Sequence, residues 1–286
     1  MSEAVEPVPE APAVEEPPPR GGDLVRRHAG VTRLWHWVNA LTLLVLLMSG
    51  LMIFNAHPRL YWGQYGANRD HAWLQIGGRG EAGAIKIGGA AYDTSGVLGS
   101  STGPDGRVNE VAFPHWATIP SGYSLADARI WHFFCAWVLA LGLLLYLVWG
   151  LLRGHIRRDL HITGTEWRPA HIWHDITEHA RLRFPTGAAA LRYNVLQKLA
   201  YCGVLFGLLP LIIFTGLTMS PGIDAAVPWL VDLLGGRQST RSLHFLAAFG
   251  LVLFFLVHIA MVVLAGPFNE VRSMITGWYR LPKDRP

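Results

Sequence analysis

Residues 242–265 read SLHFLAAFGLVLFFLVHIAMVVLA and contain no charged side chain. About 20 apolar residues in helical form cross the roughly 30 Å hydrocarbon core of a bilayer. In hydrocarbon, every backbone amide and carbonyl has to find its partner within the segment, so the segment must be helical. The stretch therefore predicts a transmembrane helix that carries two histidines, His244 and His258.

Three further apolar stretches of similar length lie at about residues 34–54, 130–152 and 196–219. The chain of 286 residues is 51% hydrophobic and 15% charged, whereas a soluble domain is about 25% charged. A soluble protein with four buried helices would need a charged outer shell, which this composition does not supply. We therefore expect an all-α integral membrane protein that folds as a bundle of four transmembrane helices.

The segments outside these helices differ in composition. Residues 1–22 read MSEAVEPVPEAPAVEEPPPRGG, and this acidic, Pro-rich stretch predicts a disordered tail because it has too little apolar surface to fold. Residues 23–286 are then one membrane domain. The long loop 55–129 is rich in glycine and aromatic residues. It predicts either a small cap with a docking surface or an insertion that merely covers the bundle.

The basic side chains predict the orientation, because Lys and Arg concentrate in cytoplasmic loops. They cluster before the first helix, within the loop 153–195 and after the fourth helix, whereas the loop 55–129 balances its basic residues with acidic ones. Both termini and the loop 153–195 are therefore expected in the cytoplasm, and the loop 55–129 on the outer side. Since the basic residues flank apolar runs, their expected partner is membrane lipid and not nucleic acid.

Four histidines fall within the predicted helices, where ionisable side chains are costly and indicate function: His36, His132, His244 and His258. The last two are fourteen residues apart, which separates them by about 21 Å and keeps them within about 40° on one helix face. Histidine is a common axial ligand of haem iron, and an iron with two such ligands needs rings from two facing helices. Two ligands on one face predict two haems stacked across the membrane.

The predicted depth of each histidine assigns its partner. His36 lies near the cytoplasmic start of the first helix, and His258 lies towards the same side along the fourth. His132 and His244 lie near the outer starts of the second and fourth helices. We therefore predict an outer haem iron between His132 and His244, and an inner haem iron between His36 and His258.

Three of these histidines follow an arginine by three residues; the arginines are Arg33, Arg129 and Arg241. Positions i and i+3 share a helix face, so each guanidinium is a candidate partner for a haem propionate. Arginines at helix ends also extend towards lipid headgroups whatever lies nearby, and both interpretations stay open.

Gly50 lies fourteen residues after His36, at the depth of the outer haem, where a side chain would contact the macrocycle.

The remaining sequence excludes several other chemistries. The two cysteines form no CxxC or CxxCH motif, which excludes a disulfide framework, a Cys-rich zinc site and a covalently attached c-type haem. No Rossmann or P-loop motif is present, which argues against a nucleotide or flavin domain in this chain. His155, just past the second helix, is a candidate contact for the head group of a quinone.

The segment RLWHW at residues 33–37, the early His132 of the second helix and the H-x13-H pattern of the fourth together resemble the bacterial di-haem cytochrome b family. That family includes cytochrome b561-type proteins and the membrane cytochrome b subunits of nickel–iron hydrogenase, formate dehydrogenase and thiosulfate reductase-like complexes. The resemblance covers about residues 26–280. It implies two haem b groups in the bacterial inner membrane, with quinone as an exchangeable substrate. The acidic tail and the long outer loop depart from the family pattern.

The expected function is that of a membrane cytochrome b subunit, which transfers electrons between the quinone pool and a periplasmic redox partner. The resemblance makes that partner a molybdenum enzyme, a hydrogenase or a soluble cytochrome, and makes the chain a subunit of an oxidoreductase instead of a complete enzyme. One alternative is a stand-alone b561-type oxidoreductase that passes electrons from a small reductant such as superoxide to quinone. Another is a haem-free membrane transporter or sensor.

Overall fold

The computed structural model describes residues 20–67, 69–103, 105–183, 185 and 190–283. Most of the predicted disordered tail, residues 1–19, lies outside the described residues. Residues 20–22 form a turn in which the amide of Gly22 donates a hydrogen bond to the carbonyl of Leu281 at 2.8 Å. The described chain therefore begins in contact with the segment near its C-terminal end.

The described elements follow one another along the chain as long helices separated by short strands and short helices. In order they are β1 (Leu24–Arg26), α1 (Gly30–Asn55), β2 (Arg59–Leu60), β3 (Leu74–Arg79), β4 (Ala82–Ile87), β5 (Ala90–Asp93), β6 (Ser101–Thr102), β7 (Val108–Asn109), α2 (Leu125–Leu152), α3 (Pro169–Ala180), α4 (Val195–Cys202), α5 (Leu209–Thr218), α6 (Pro221–Ala226), α7 (Trp229–Leu233), α8 (Arg237–Ala265), α9 (Pro267–Thr276) and β8 (Trp278–Arg280).

Within the described residues, four helices are long and apolar enough to cross a membrane, which confirms the predicted number of spans. They are α1, α2, the continuous helix Val195–Thr218 and α8. The third of these is made of α4 and α5, joined by a π-helical turn at Gly203–Leu208. Leucines on the outside of the bundle, such as Leu152 at 82% exposure and Leu145 at 68%, would be unfavourable in water and favour a lipid environment.

The helices begin earlier than predicted where polar residues extend their first turn. Ser124 caps α2 by accepting a hydrogen bond from the amide of Asp127, and this cap adds a turn before the apolar run. Asn194 and Gln197 form a reciprocal capping box at the start of the third span. Buried Ser239 and Thr240 extend α8 towards the outer loop.

Apolar side chains from all four spans fill the interior of the bundle. The core cluster consists of Leu139, Leu143, Tyr146, Leu160, Leu205, Leu209 and Leu251, with Trp35 and Leu43 among the residues packed against it. The ring of Trp35 stacks on Tyr146 at 5.5 Å between centroids. This interior holds the helices at fixed positions relative to one another, so residues at matching depths face each other.

The outer loop is a small β-structure, so the expected all-α class does not extend to it. Strands β2, β3, β4 and β5 form an antiparallel sheet in that order, and a second core cluster lies beneath it: Phe54, Leu60, Leu74, Ile76, Ala112 and Phe113. The glycines do more than form turns. A Cβ atom on Gly78 or Gly83 would overlap the backbone at Leu98 or Gly99, so these glycines permit two chain segments to pack closely.

This outer cap, residues 57–113, is tied to the first turns of α8. The hydroxyl of Ser242 donates to the carbonyl of Tyr61 at 2.6 Å and accepts from the indole N–H of Trp73 at 2.9 Å. The hydroxyl of Ser239 accepts from the amide of Gly63 at 2.7 Å. The cap and the fourth span are thereby joined through buried polar contacts.

The two ends of the chain meet at the opposite end of the bundle, here called the inner end. Strand β1 pairs antiparallel with β8, and Arg27 forms an ion pair with Glu270 of α9 at 3.2 Å. The loop between α2 and the third span is also fastened there. Burial would raise the pKa of Glu166, but hydrogen bonds from Lys198 and Thr163 outweigh that effect and hold the pKa at about 2.

We expect Ser242→Ala to loosen the outer cap, because the substitution leaves the carbonyl of Tyr61 and the indole N–H of Trp73 without partners. An unsatisfied buried group costs about 1–3 kcal/mol, so the cap should open roughly 5- to 150-fold more often. Hydrogen–deuterium exchange of residues 57–113 measures this opening. Ser124→Ala, which removes a helix cap outside these contacts, is the control and should leave exchange in the cap unchanged. Equal exchange in the Ser242→Ala and wild-type caps would contradict the anchoring role.

Candidate functional site

The structure brings the four membrane histidines together as two pairs. At the outer end, the rings of His132 on α2 and His244 on α8 have centroids 6.3 Å apart and planes inclined at 59°. At the inner end, the rings of His36 on α1 and His258 on α8 have centroids 6.3 Å apart and planes inclined at 56°. The two pairs thus repeat one geometry at two depths, and they match the pairs assigned from the sequence.

The separation within each pair fits two imidazoles that share one metal ion. An imidazole nitrogen binds a transition metal at about 2.0 Å, and a ring centre lies about 1.1 Å from its nitrogen, so opposed ligands should have centroids about 6.2 Å apart. Both pairs are close to this separation, at 6.3 Å. No cluster of three or more His, Cys, Asp and Glu suited to a metal occurs in the part of the chain that the structure describes. Each pair offers two histidine ligands, the number that a haem iron can take from the protein.

The continuous helix α8 sets the distance between the pairs. His244 and His258 both lie on it, and the fourteen residues between them correspond to a rise of about 21 Å. Helices α1 and α2 pack against each other and supply the second ligand at opposite ends, since they run in opposite directions. The bundle thereby holds the two sites in line across its length.

Two hydroxyl residues that the sequence analysis did not single out contact the outer histidines. The hydroxyl of Ser49 on α1 lies 3.1 Å from Nδ1 of His132, and the hydroxyl of Thr215 on α5 lies 2.9 Å from Nδ1 of His244. Both side chains are fully buried. The sequence carries a signal for them, because the triplets at 49–51 and 215–217 are SGL and TGL, a repeat on two helices that run in the same direction.

The glycine of each triplet makes room for the ring that its neighbour contacts. A Cβ atom on Gly50 would lie 3.4 Å from Cε1 of His132, and one on Gly216 would lie 3.3 Å from Cε1 of His244. Gly50 thus lies at the outer depth predicted for it, in contact distance of the histidine ring. A Cβ atom at Gly216 would require the ring of His244 to shift by a few tenths of an ångström, and one at Gly50 would just reach contact with His132.

The inner pair has apolar and aromatic surroundings. Nδ1 of His36 is buried, and among the described residues it has no hydrogen-bond partner. The ring of Trp37 meets His36 edge-on at 5.0 Å, and Phe254 stacks on His258 at 5.8 Å. The two pairs therefore share their geometry but differ in what contacts their second ring nitrogens.

The three arginines near these histidines have different partners. Arg33 donates to the carbonyl of Ile275, and Arg241 donates to the carbonyls of His57 and Arg59 in the cap. Arg129 is exposed, with its guanidinium 5.5 Å from the ring centre of Phe133. Arg241 consequently fastens the outer cap to α8, a contact that its spacing from His244 did not predict.

A short chain of polar groups lies at the inner end of the bundle. Asp159 pairs with Nδ1 of His155 at 2.6 Å, and Nε2 of His155 lies 3.2 Å from the hydroxyl of Tyr146. Nearby, burial and the positive charge of Arg27 lower the pKa of His28 to about 4. His28 is therefore uncharged near neutral pH, while the aspartate–histidine–tyrosine chain can relay a proton.

Comparison with known proteins agrees with this architecture. The family described as prokaryotic cytochrome b561 matches residues 27–277. The chain is 23% identical to a probable Ni/Fe-hydrogenase B-type cytochrome subunit of Azotobacter vinelandii, over 93% of this chain and 95% of that protein. It is 30% identical to a putative protein-methionine-sulfoxide reductase subunit, YedZ1 of Azospira oryzae, over 51% of this chain and 70% of that protein.

A putative cytochrome of Escherichia coli, YdhU, is 24% identical over 91% of this chain and 76% of its own length. No solved structure matches the chain significantly. The family match spans all four membrane helices and includes all four histidines of the two pairs. This extent confirms the resemblance drawn from the histidine pattern, and the chain is a b-type membrane cytochrome that belongs to the prokaryotic cytochrome b561 family.

Proposed function

We propose that this protein is the electron-transfer subunit of a membrane oxidoreductase. It would carry electrons between the quinone pool and a periplasmic redox protein through two b haems, in the inner membrane of a bacterium with both termini in the cytoplasm. The observation that carries the proposal is the repeated 6.3 Å separation of the His132–His244 and His36–His258 pairs, at two depths of one bundle.

Each pair would hold the iron of one haem b, which supplies reversible one-electron transfer when bound. Because each pair would supply two protein ligands to its iron, no position would be left for a substrate on the metal. The geometry therefore favours electron transfer over substrate chemistry at the iron. The two pairs are separated by about 21 Å along α8, which is most of the thickness of the hydrocarbon core. Electron transfer between the two haems would therefore cross most of the membrane.

The remaining predicted site residues would shape the spaces around these groups. Gly50 would leave room beside His132, because a Cβ at that position would lie within contact distance of the ring. Arg33, Arg129 and Arg241 would contribute positive charge close to the propionate ends. For Arg241 the contribution would be electrostatic, since its guanidinium already donates to the cap carbonyls.

The inner end is the proposed place of quinone exchange. Oxidation of a quinol releases protons as well as electrons, and the Tyr146–His155–Asp159 chain offers a route for them. Trp35 stacks on Tyr146 and directly precedes His36 in α1, so these three polar groups lie beside the inner pair of histidines. These contacts support His155 as the group that accepts or returns the proton.

The outer cap is the proposed face for the redox partner. Tyr65 in the cap is 87% exposed, and Trp116, just after the cap, is 78% exposed. Aromatic residues are enriched where proteins bind one another. Two of the relatives carry names that make them subunits of a hydrogenase and of a methionine-sulfoxide reductase. By analogy the partner would be a hydrogenase, a molybdenum enzyme or a soluble cytochrome.

We predict that purified protein contains two haem b groups per chain and that single histidine variants retain one. His132→Ala and His244→Ala should share one residual spectrum and midpoint potential, and His36→Ala and His258→Ala should share another, because each pair binds one iron. Pyridine haemochrome assay and redox titration measure these quantities. His57→Ala, a histidine outside both pairs, is the control and should keep two haems.

The double variants separate this pairing from any other. His132→Ala/His244→Ala should keep one haem, whereas His36→Ala/His244→Ala should keep none. One intact haem in the second double variant would contradict the pairing. Wild-type protein without a Soret band would instead support a haem-free transporter or sensor, and reduction of the haems by superoxide without a partner protein would support a stand-alone oxidoreductase.

The orientation has its own test. A reporter enzyme that is active only in the periplasm should be active when fused after Gly99 in the outer cap and inactive when fused after Glu166 in the inner loop. The expectation rests on the basic residues that cluster just before the first helix, within the inner loop and after the fourth helix. The reverse pattern would invert the assignment of both ends of the bundle.

We predict that His155→Ala slows reduction of the haems by a quinol, because it interrupts the proton route between Tyr146 and Asp159. A positioned acid–base group contributes about 10²-fold or more to such a step. Stopped-flow absorbance measures the rate, and dithionite reduction should be unchanged since it needs no proton route. His171→Ala, in exposed α3, is the matched control. An unchanged quinol rate in His155→Ala would remove His155 from the proposed site.

A further inference from the structure

We propose that Ser49 and Thr215 are positioning residues that hold His132 and His244 in the tautomer with the proton on Nδ1, so that Nε2 of each presents its lone pair to the outer iron. This inference rests on the proposed function and adds to it a cause for the orientation of two ligands. The outer and inner sites then differ in the hydrogen bonds that their histidines make at Nδ1.

The hydrogen atoms of the two hydroxyl groups are already assigned by their helices. Ser49 donates its only hydroxyl hydrogen towards the carbonyl of Val45 at 2.6 Å, and Thr215 donates its own towards the carbonyl of Leu211 at 2.8 Å. Each oxygen therefore turns a lone pair towards the histidine. The contacts of 3.1 Å and 2.9 Å to Nδ1 then require the ring nitrogen to be the donor.

The position of the ring proton decides which nitrogen can bind a metal. A neutral imidazole carries one N–H and one lone pair, and with the hydrogen on Nδ1 the lone pair is on Nε2. The ligand atom is thus selected before any metal binds.

The inner pair lacks such a partner at His36, whose Nδ1 is buried without a hydrogen bond among the described residues. An acceptor on the far N–H of a metal-bound histidine makes the imidazole a stronger donor to the metal. Stronger donation favours the oxidised iron. The hydroxyls of Ser49 and Thr215 should therefore lower the midpoint potential of the outer haem relative to the same site without them.

A purely structural role is the competing explanation, because serine and threonine in apolar helices commonly donate to the carbonyl four residues earlier. The chain offers a matched control for it. Thr218 is fully buried on the same helix as Thr215, and its hydroxyl donates to a backbone carbonyl at 2.9 Å. The hydroxyl of Thr218 contacts the backbone carbonyl of Thr215, whereas the hydroxyl of Thr215 contacts the ring of His244.

The experiment compares Ser49→Ala, Thr215→Val and Thr218→Val in the full-length, haem-loaded protein in detergent or nanodiscs. Haem content comes from the pyridine haemochrome assay, and the midpoint potentials of both haems from optical redox titration. The outer haem is identified as the one that His132→Ala loses. We expect Ser49→Ala and Thr215→Val to raise the outer midpoint potential and leave the inner one unchanged, while Thr218→Val changes neither.

Conservative exchanges complete the test. Ser49→Thr and Thr215→Ser keep a hydroxyl at each position and should restore the wild-type outer potential, even if Ser49→Ala or Thr215→Val loses the outer haem altogether. Unchanged potentials in Ser49→Ala and Thr215→Val with two haems retained would overturn this inference and leave the proposed function intact. An equal shift in Thr218→Val would also overturn it. Wild-type protein that binds fewer than two haems would instead overturn the proposed function.

Discussion

A histidine ring inside hydrocarbon needs a partner, and this requirement organises the bundle. Two rings on α8 meet one ring from α2 and one from α1, each pair with centroids 6.3 Å apart. Because α8 is continuous from Arg237 to Ala265, the distance between the pairs follows from helical rise alone. The directions of α1 and α2 then decide which histidine each can offer at which depth. The rest of the structure holds these two histidine pairs in place.

Much of this arrangement was predictable from the sequence, because lipid imposes simple rules. Apolar runs of sufficient length have to be helices, and successive spans run in alternating directions. Direction and position together give depth, and depth alone associates His132 with His244 and His36 with His258. The number of spans and the family were predicted correctly for the same reason.

Features that depend on individual atoms could not be predicted in this way. Ser49 and Thr215 look like ordinary small residues of apolar helices, and only the packed bundle brings their hydroxyls to the histidines. The outer sheet was missed because its glycines permit close packing of chain segments as well as turns, and composition alone does not separate the two uses. Likewise, the spacing of Arg241 from His244 indicated proximity, whereas its bonds to cap carbonyls required the folded loop.

The anchoring of the cap on α8 has a consequence for the order of assembly. The contacts from Ser242 to Tyr61 and from Trp73 to Ser242 join residues 181 and 169 positions apart in the chain. During synthesis the cap segment emerges long before the helix to which it binds, and distant contacts of this kind form late. The last span also brings His244 and His258. Both ligand pairs and the contacts that hold the cap therefore form only after α8 has been inserted.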